Sequence, residues 1–279
     1  MSVQTKASFK KEFLAFFRTK TFLIITCVVI SLSILGPLLI SGMGTLMGSM
    51  SDIYDEMGMD VTDMSDFLVS SSSIGMIFSV DSVAGTSVIV VLLLLNKVAG
   101  GEQKKRANII PTSSGLSSFS YIFPKFIIYP ITSFLLAFIA IIAAWPIAVW
   151  AFEVNDLTAG GVVLAAVLSG ASLMFYVCCH LALGTATGKA GMSAAICISV
   201  SIVLPMIFAS TDMSYMFNPF ALSALAQSSL FIDTMSGSAI ADNIASFGFA
   251  LGIMVITYFI AIFAQNAKRI DNSGNEIEL

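Results

Sequence analysis

Charge is scarce in this chain. Only 11% of its 279 residues are Asp, Glu, Lys or Arg, where a soluble domain carries about 25%. Hydrophobic residues reach 57%, more than a water-soluble core of this length needs. That balance excludes an ordinary soluble domain and points to the bilayer as solvent. Histidine is scarcer still, with His180 alone. No Ser-His-Asp set, His-Glu-x-x-His motif or paired intramembrane aspartates occur, so no enzyme site is expected. The cysteines Cys27, Cys178, Cys179 and Cys197 lie in apolar runs. They read as small buried hydrophobes and not as a disulfide framework. No nucleic-acid partner is expected.

Basic residues are missing altogether from 21–96, 126–188 and 190–267. A helix needs about 20 apolar residues to cross ~30 Å of hydrocarbon. Six runs meet this, at 21–46, 74–96, 126–151, 160–186, 190–210 and 244–266. Each must be helical, because irregular backbone cannot face lipid. The first is too long for a cleavable signal and reads as a retained span, since the charges after Lys20 resume only at Asp52. The expected fold is an all-α integral membrane protein, one transmembrane domain over 1–279.

The distribution of charge predicts direction. Lys6, Lys10, Lys11, Arg18 and Lys20 precede span one; Lys97, Lys104, Lys105, Arg106 and Lys125 lie between spans two and three. Lys189 separates spans four and five, and Lys268 and Arg269 follow span six. The alternate loops hold Asp52, Asp55, Glu56, Asp60, Asp63, Asp66, Glu153, Asp156, Asp212, Asp233 and Asp242 with no cation. The positive-inside rule then puts both termini in the cytoplasm of a plasma-membrane protein.

Two flanking segments are amphipathic. In 8–18, Phe9, Phe13, Phe16 and Phe17 fall on one helical stripe, with Lys10, Lys11 and Arg18 off it. This predicts an interfacial helix with its rings in lipid and its amines toward anionic headgroups. Ile53, Met57, Val61, Met64 and Phe67 recur at three- to four-residue spacing in the acidic loop. They mark either an outer amphipathic helix or a solvated loop.

Several motifs lead nowhere chemical. Gly184-Thr185-Ala186-Thr187-Gly188-Lys189-Ala190 has one residue too few between its glycines for a phosphate loop and lacks the hydroxyl after Lys189. It matches Gly-xxx-Gly, as do Gly44/Gly48 and Gly248/Gly252, which favours close helix packing. Cys178-Cys179-His180 points three ways around a helix and cannot alone enclose a metal, so His180 is read as hydrogen-bonded or facing a cavity. The methionines around Met43, Met47 and Met50 read as adaptable filler before copper ligands. Asp81 is the one acid within a span. It either faces a cavity or partner, or sits at the outer headgroup level. Asp81 and His180 are the candidate pathway residues.

Six spans, a basic aromatic leading helix and a charged loop after span two together resemble an ABC-2 type transporter permease, the membrane subunit of an ATP-driven exporter. The loop carries Glu102, Lys104-Lys105-Arg106, Pro111-Thr112-Ser113-Ser114 and then Tyr121-Ile122-Phe123-Pro124-Lys125. Ala107-Asn108 stand where that family often has Gly-Thr. Phe217-Asn218-Pro219-Phe220 matches the Asn-Pro that commonly follows span five. The resemblance implies a coupling loop at 102–116, with Glu102, Lys104, Lys105 and Arg106 setting register on an ATPase and Ile109 and Ile110 anchoring it. It implies that 8–18 is the connecting helix and 217–240 an outer re-entrant segment. The chain has no nucleotide-binding domain and binds no cofactor on this reading. ATP and magnesium would sit on a separate cytoplasmic ATPase, and a second permease chain would complete the path. Apolar spans lean toward an amphipathic peptide, a lipid or a hydrophobic drug as substrate. The alternative is a scaffold or immunity protein that binds a partner and transports nothing.

Overall fold

The computed structural model describes residues 3–50, 71–101, 117–152, 154–209, 217–231 and 237–275. Eight helices are described: α1 (Val3–Phe17), α2 (Lys20–Ser49), α3 (Ser72–Leu94), α4 (Ser118–Ala151), α5 (Ala159–Thr187), α6 (Ala190–Ala209), α7 (Leu222–Ser229) and α8 (Gly237–Asn275). No strand occurs among the described residues, only an isolated bridge between Ser71 and Val154. Six helices, α2 to α6 and α8, are long and apolar enough to cross a membrane. The chain is an all-α protein with the architecture of a multi-pass membrane protein.

Most helix bounds follow the apolar runs, and the exceptions have causes. α4 begins at Ser118, two turns before the expected start at 126. Its N-cap Ser117 accepts a hydrogen bond from the Ser120 amide at 3.2 Å, satisfying an otherwise orphan donor. Lys125 therefore lies inside the helix, and it is buried. α3 is not uniform: Ser72–Asp81 and Ser87–Leu94 are α-helical and Ser82–Thr86 is a π-turn. α8 starts at Gly237, inside the range expected for the re-entrant segment. What stands there instead is a 3₁₀ turn, Pro219–Ala221, running into the eight-residue α7.

α5 is the axis of the bundle, with 72% of its most apolar stretch buried. It packs against α4, α8, α7 and α6. Gly184 lies on the Ala99 carbonyl, with no room for a side chain. Gly161 leaves a Cβ only 2.8 Å from the Ser229 carbonyl oxygen. Gly188 ends the helix at φ 67°, the left-handed geometry of a C-cap. The Gly184/Gly188 pair is thus one packing residue and one cap. A Cβ added at Gly48, Gly248 or Gly252 would meet nothing within 4 Å among the described residues, so close packing does not require glycine there, although Gly44 is buried.

Hydroxyls fasten α2, α3 and α4 together. Ser33 Oγ donates to the Ala140 carbonyl at 3.0 Å, and Ser79 Oγ donates to the Ser33 carbonyl at 2.6 Å. Bonds of this kind satisfy small polar groups where water is absent.

Helix ends sort onto two opposite faces. On one, the π-helical turn Lys97–Gly101 that follows α3 meets the end of α5 at Ala99 and Gly184, and Phe126 of α4 meets Tyr258 of α8 with ring centroids 5.5 Å apart. That face carries α1, Lys20, Lys97 and Lys189. On the other, the start of α3 meets the α4–α5 connection. Asp156 there accepts hydrogen bonds from Ser71 Oγ, from Ser72 Oγ at 3.0 Å and from the Ser73 amide at 3.0 Å. Partial burial pushes this carboxyl up, but the bonds from Ser71, Ser73 and Ser72 outweigh it and hold it below its ordinary value.

Candidate functional site

Asp81 ends the first α-helical part of α3 and leads into the π-turn. Ten residues of α-helix place it about 13 Å along α3 from Ser72. It is exposed on the outside of the single chain. Gln227 of α7 reaches it, with Nε2 donating to Oδ1 at 3.5 Å. A carboxylate within a membrane-spanning helix is costly unless it meets water or a partner. The π-turn beside it is the kind of helix defect found at functional sites. The 3₁₀ turn that leads into α7 is capped: Asn218 Oδ1 accepts from the Phe220 amide at 3.0 Å, and Pro219 follows.

His180 is the other sequence candidate, and it lies elsewhere. It is fully buried near the far end of α5, where α6 begins. Ser193 Oγ donates to the His180 carbonyl at 2.7 Å and lies 2.8 Å from Nδ1. A serine has one hydroxyl proton, so with that proton on the carbonyl, Nδ1 must be the donor to Oγ. Nε2 is left as a bare acceptor, buried and without a partner among the described residues. His180 therefore fastens α6 to α5, and the fold does not bring it to Asp81.

A third polar group joins α1 to α4. Thr5, Ser8, Glu12 and Phe16 form the buried stripe of α1 at helical spacing. Glu12 Oε2 accepts from Tyr129 Oη at 3.1 Å, and Glu12 Oε1 lies 4.0 Å from Lys125 Nζ. Lys125 also donates to Tyr121 Oη at 3.1 Å, with Nζ 4.4 Å from that ring's centroid. Thr5 and Ser120 share a hydrogen bond of 2.9 Å. Glu12 and Lys125 are each almost wholly buried. Removing one member of a buried pair of this sort is costly, because it leaves the other charge without its partner.

The aromatic stripe of α1 is accordingly divided. Phe16 turns inward, meeting Tyr129 at 4.8 Å and Phe22 at 5.4 Å between centroids. Phe13 and Phe17 stay exposed, their rings 4.4 Å apart, and Phe9 is half-buried. One face of α1 is keyed to protein, and the next leaves Phe13 and Phe17 exposed.

Glu102, Lys104, Lys105, Arg106, Ile109 and Ile110 lie outside the described residues, as does the acidic segment around 53–67. Glu12, Lys125, Tyr129 and Gln227 are not among the site residues that the sequence points to. A signal for Glu12 exists: it is the one acid in a basic segment, in register with Thr5, Ser8 and Phe16. Gln227 carries no such mark. No family model matches the chain, and no curated protein matches it.

Proposed function

We propose that this chain is the permease subunit of an ABC exporter, working with a second permease chain and a separate cytoplasmic ATPase. Asp81 carries this reading. A carboxylate exposed inside a span, at a helix defect and under a short helix from the α6–α8 connection, is what a path between two chains requires. The keyed α1 supports the same reading, because a lever must be fixed to the span it moves. The basic residues on the α1 face support a cytoplasmic position for that face. The apolar spans support an amphipathic peptide, a lipid or a hydrophobic drug as cargo.

The test is reconstitution of the chain with an ATPase encoded beside it. The ATPase copurifies, hydrolyses ATP faster with the chain present, and drives export from vesicles. Asp81→Asn lowers export at least about tenfold while ATPase copurification is unchanged. An ATPase that neither copurifies nor responds leaves the scaffold reading in possession. Export at the normal rate by the Asp81→Asn variant removes the carboxylate from the path.

A further inference from the structure

We propose that the chain holds one anionic phospholipid in a cleft between α1 and the first turns of α4. The proposal does not depend on transport.

The cleft has a volume of about 670 Å³ and is lined by Lys6, Phe9, Lys10, Phe13, Phe123 and Ile127. That is within the usual range for a small-molecule site, about 300–1,000 Å³. Helical spacing explains its construction. Lys6 and Lys10 stand one turn apart on α1, as do Phe9 and Phe13, and Phe123 and Ile127 stand one turn apart on α4. The walls are therefore aromatic and aliphatic, lined in part by the aliphatic stems of Lys6 and Lys10, whose ammonium groups lie outside the apolar lining.

The cations are the unusual part. Both lysines are exposed, and neither makes an ion pair among the described residues. The neighbouring acid is already engaged, since Glu12 faces Lys11 at 3.9 Å and Lys125 at 4.0 Å. Like charges at this spacing repel, and an anion between them would relieve that. A phosphate ester suits two ammonium groups. A soluble anion would leave the apolar walls wet, and an apolar peptide would leave the lysines unmatched. A phospholipid supplies both parts: its headgroup phosphate meets Lys6 and Lys10, and an acyl chain lies along Phe9, Phe13, Phe123 and Ile127. Arg18 and Thr19 join α1 to α2, so the cleft lies beside the start of the first apolar span, where a lipid headgroup is expected.

The experiment uses the delipidated full-length chain in detergent, titrated with phosphatidylglycerol or phosphatidylcholine and read by native mass spectrometry. One phosphatidylglycerol per chain is retained in preference to phosphatidylcholine. Lys6→Gln with Lys10→Gln lowers retention on the order of tenfold. Arg18→Gln with Lys20→Gln, equal in charge but outside the cleft, leaves it unchanged. Ile127→Trp fills the cleft without altering charge and also lowers retention. Equal losses in the two double variants would reduce the effect to diffuse surface attraction and overturn the proposal. So would equal retention of the two lipids, full occupancy in the Ile127→Trp variant, or complete displacement by millimolar inorganic phosphate.

Discussion

The fourth and fifth membrane helices, α5 and α6, are nearly alike in apolar character, yet the chain treats them oppositely. It buries 72% of the most apolar stretch of α5 and 17% of that of α6. α5 carries Gly161, Gly170 and Gly184, each of which lets another element approach closer than a side chain would allow. α6 turns bulky residues outward, among them Ile196, Ile202, Val203 and Met206. Lipid tails are as apolar as leucine, so hydrophobicity cannot choose between helix and lipid as a neighbour. Shape makes the choice, and small polar contacts secure it. Ser193 and His180 form such a contact between these two helices.

The comparison breaks most directly at glycine. Gly184→Leu pushes a side chain into the Ala99 backbone and should lower stability by about 3 kcal/mol or more, seen as loss of the folded peak in thermal unfolding in detergent. Gly191→Leu, on an α6 surface with nothing within 4 Å, should change stability by less than about 0.5 kcal/mol. Equal damage at the two positions would mean that α6 is covered in the working assembly and that its exposure belongs to the isolated chain.

Fastening by charge sets a second contrast with fastening by shape. Glu12→Ala leaves Lys125 buried without its carboxylate and should cost about 3 kcal/mol. Glu12→Leu together with Lys125→Met should recover most of that. Recovery in the unfolding midpoint would show that the pair determines how α1 sits on α4 and adds little net stability. No recovery would make it a true stabiliser.

A smaller effect belongs to the opposite face. Asp156→Ala removes the acceptor of the Ser71, Ser72 and Ser73 bonds and should cost about 1 kcal/mol, less where solvent screens it. Because the folded carboxyl titrates below its ordinary value, its stabilisation is complete above about pH 4. It is lost as pH falls through the lower folded value. The gap between wild type and the Asp156→Ala variant should therefore close in acid. A constant gap down to about pH 2 would exclude the carboxylate as its source.

The sequence is legible where one physical rule suffices. A backbone in hydrocarbon must bond to itself, so six apolar runs become six helices, with bounds a few residues from those expected except in α4 and α8, which run further. It misleads where a charge looks like a boundary. Lys125 reads as the mouth of a span, but Glu12 neutralises it and α4 extends past it to Ser118. The aromatic stripe of α1 reads as one face, and it is two, because Tyr129 and Phe22 draw Phe16 inward. The π-turn after Asp81 and the reach of Gln227 leave no pattern in the residues.

Composition by itself determined that this chain belongs in a bilayer and how many times it can cross. Those are questions of local transfer energy, answered one segment at a time. Only the tertiary structure decided which apolar helix is wrapped in protein and which is left exposed on the chain, and which charged side chain finds a buried partner. Those outcomes depend on residues far apart in sequence meeting at close range, and hydropathy holds no record of that.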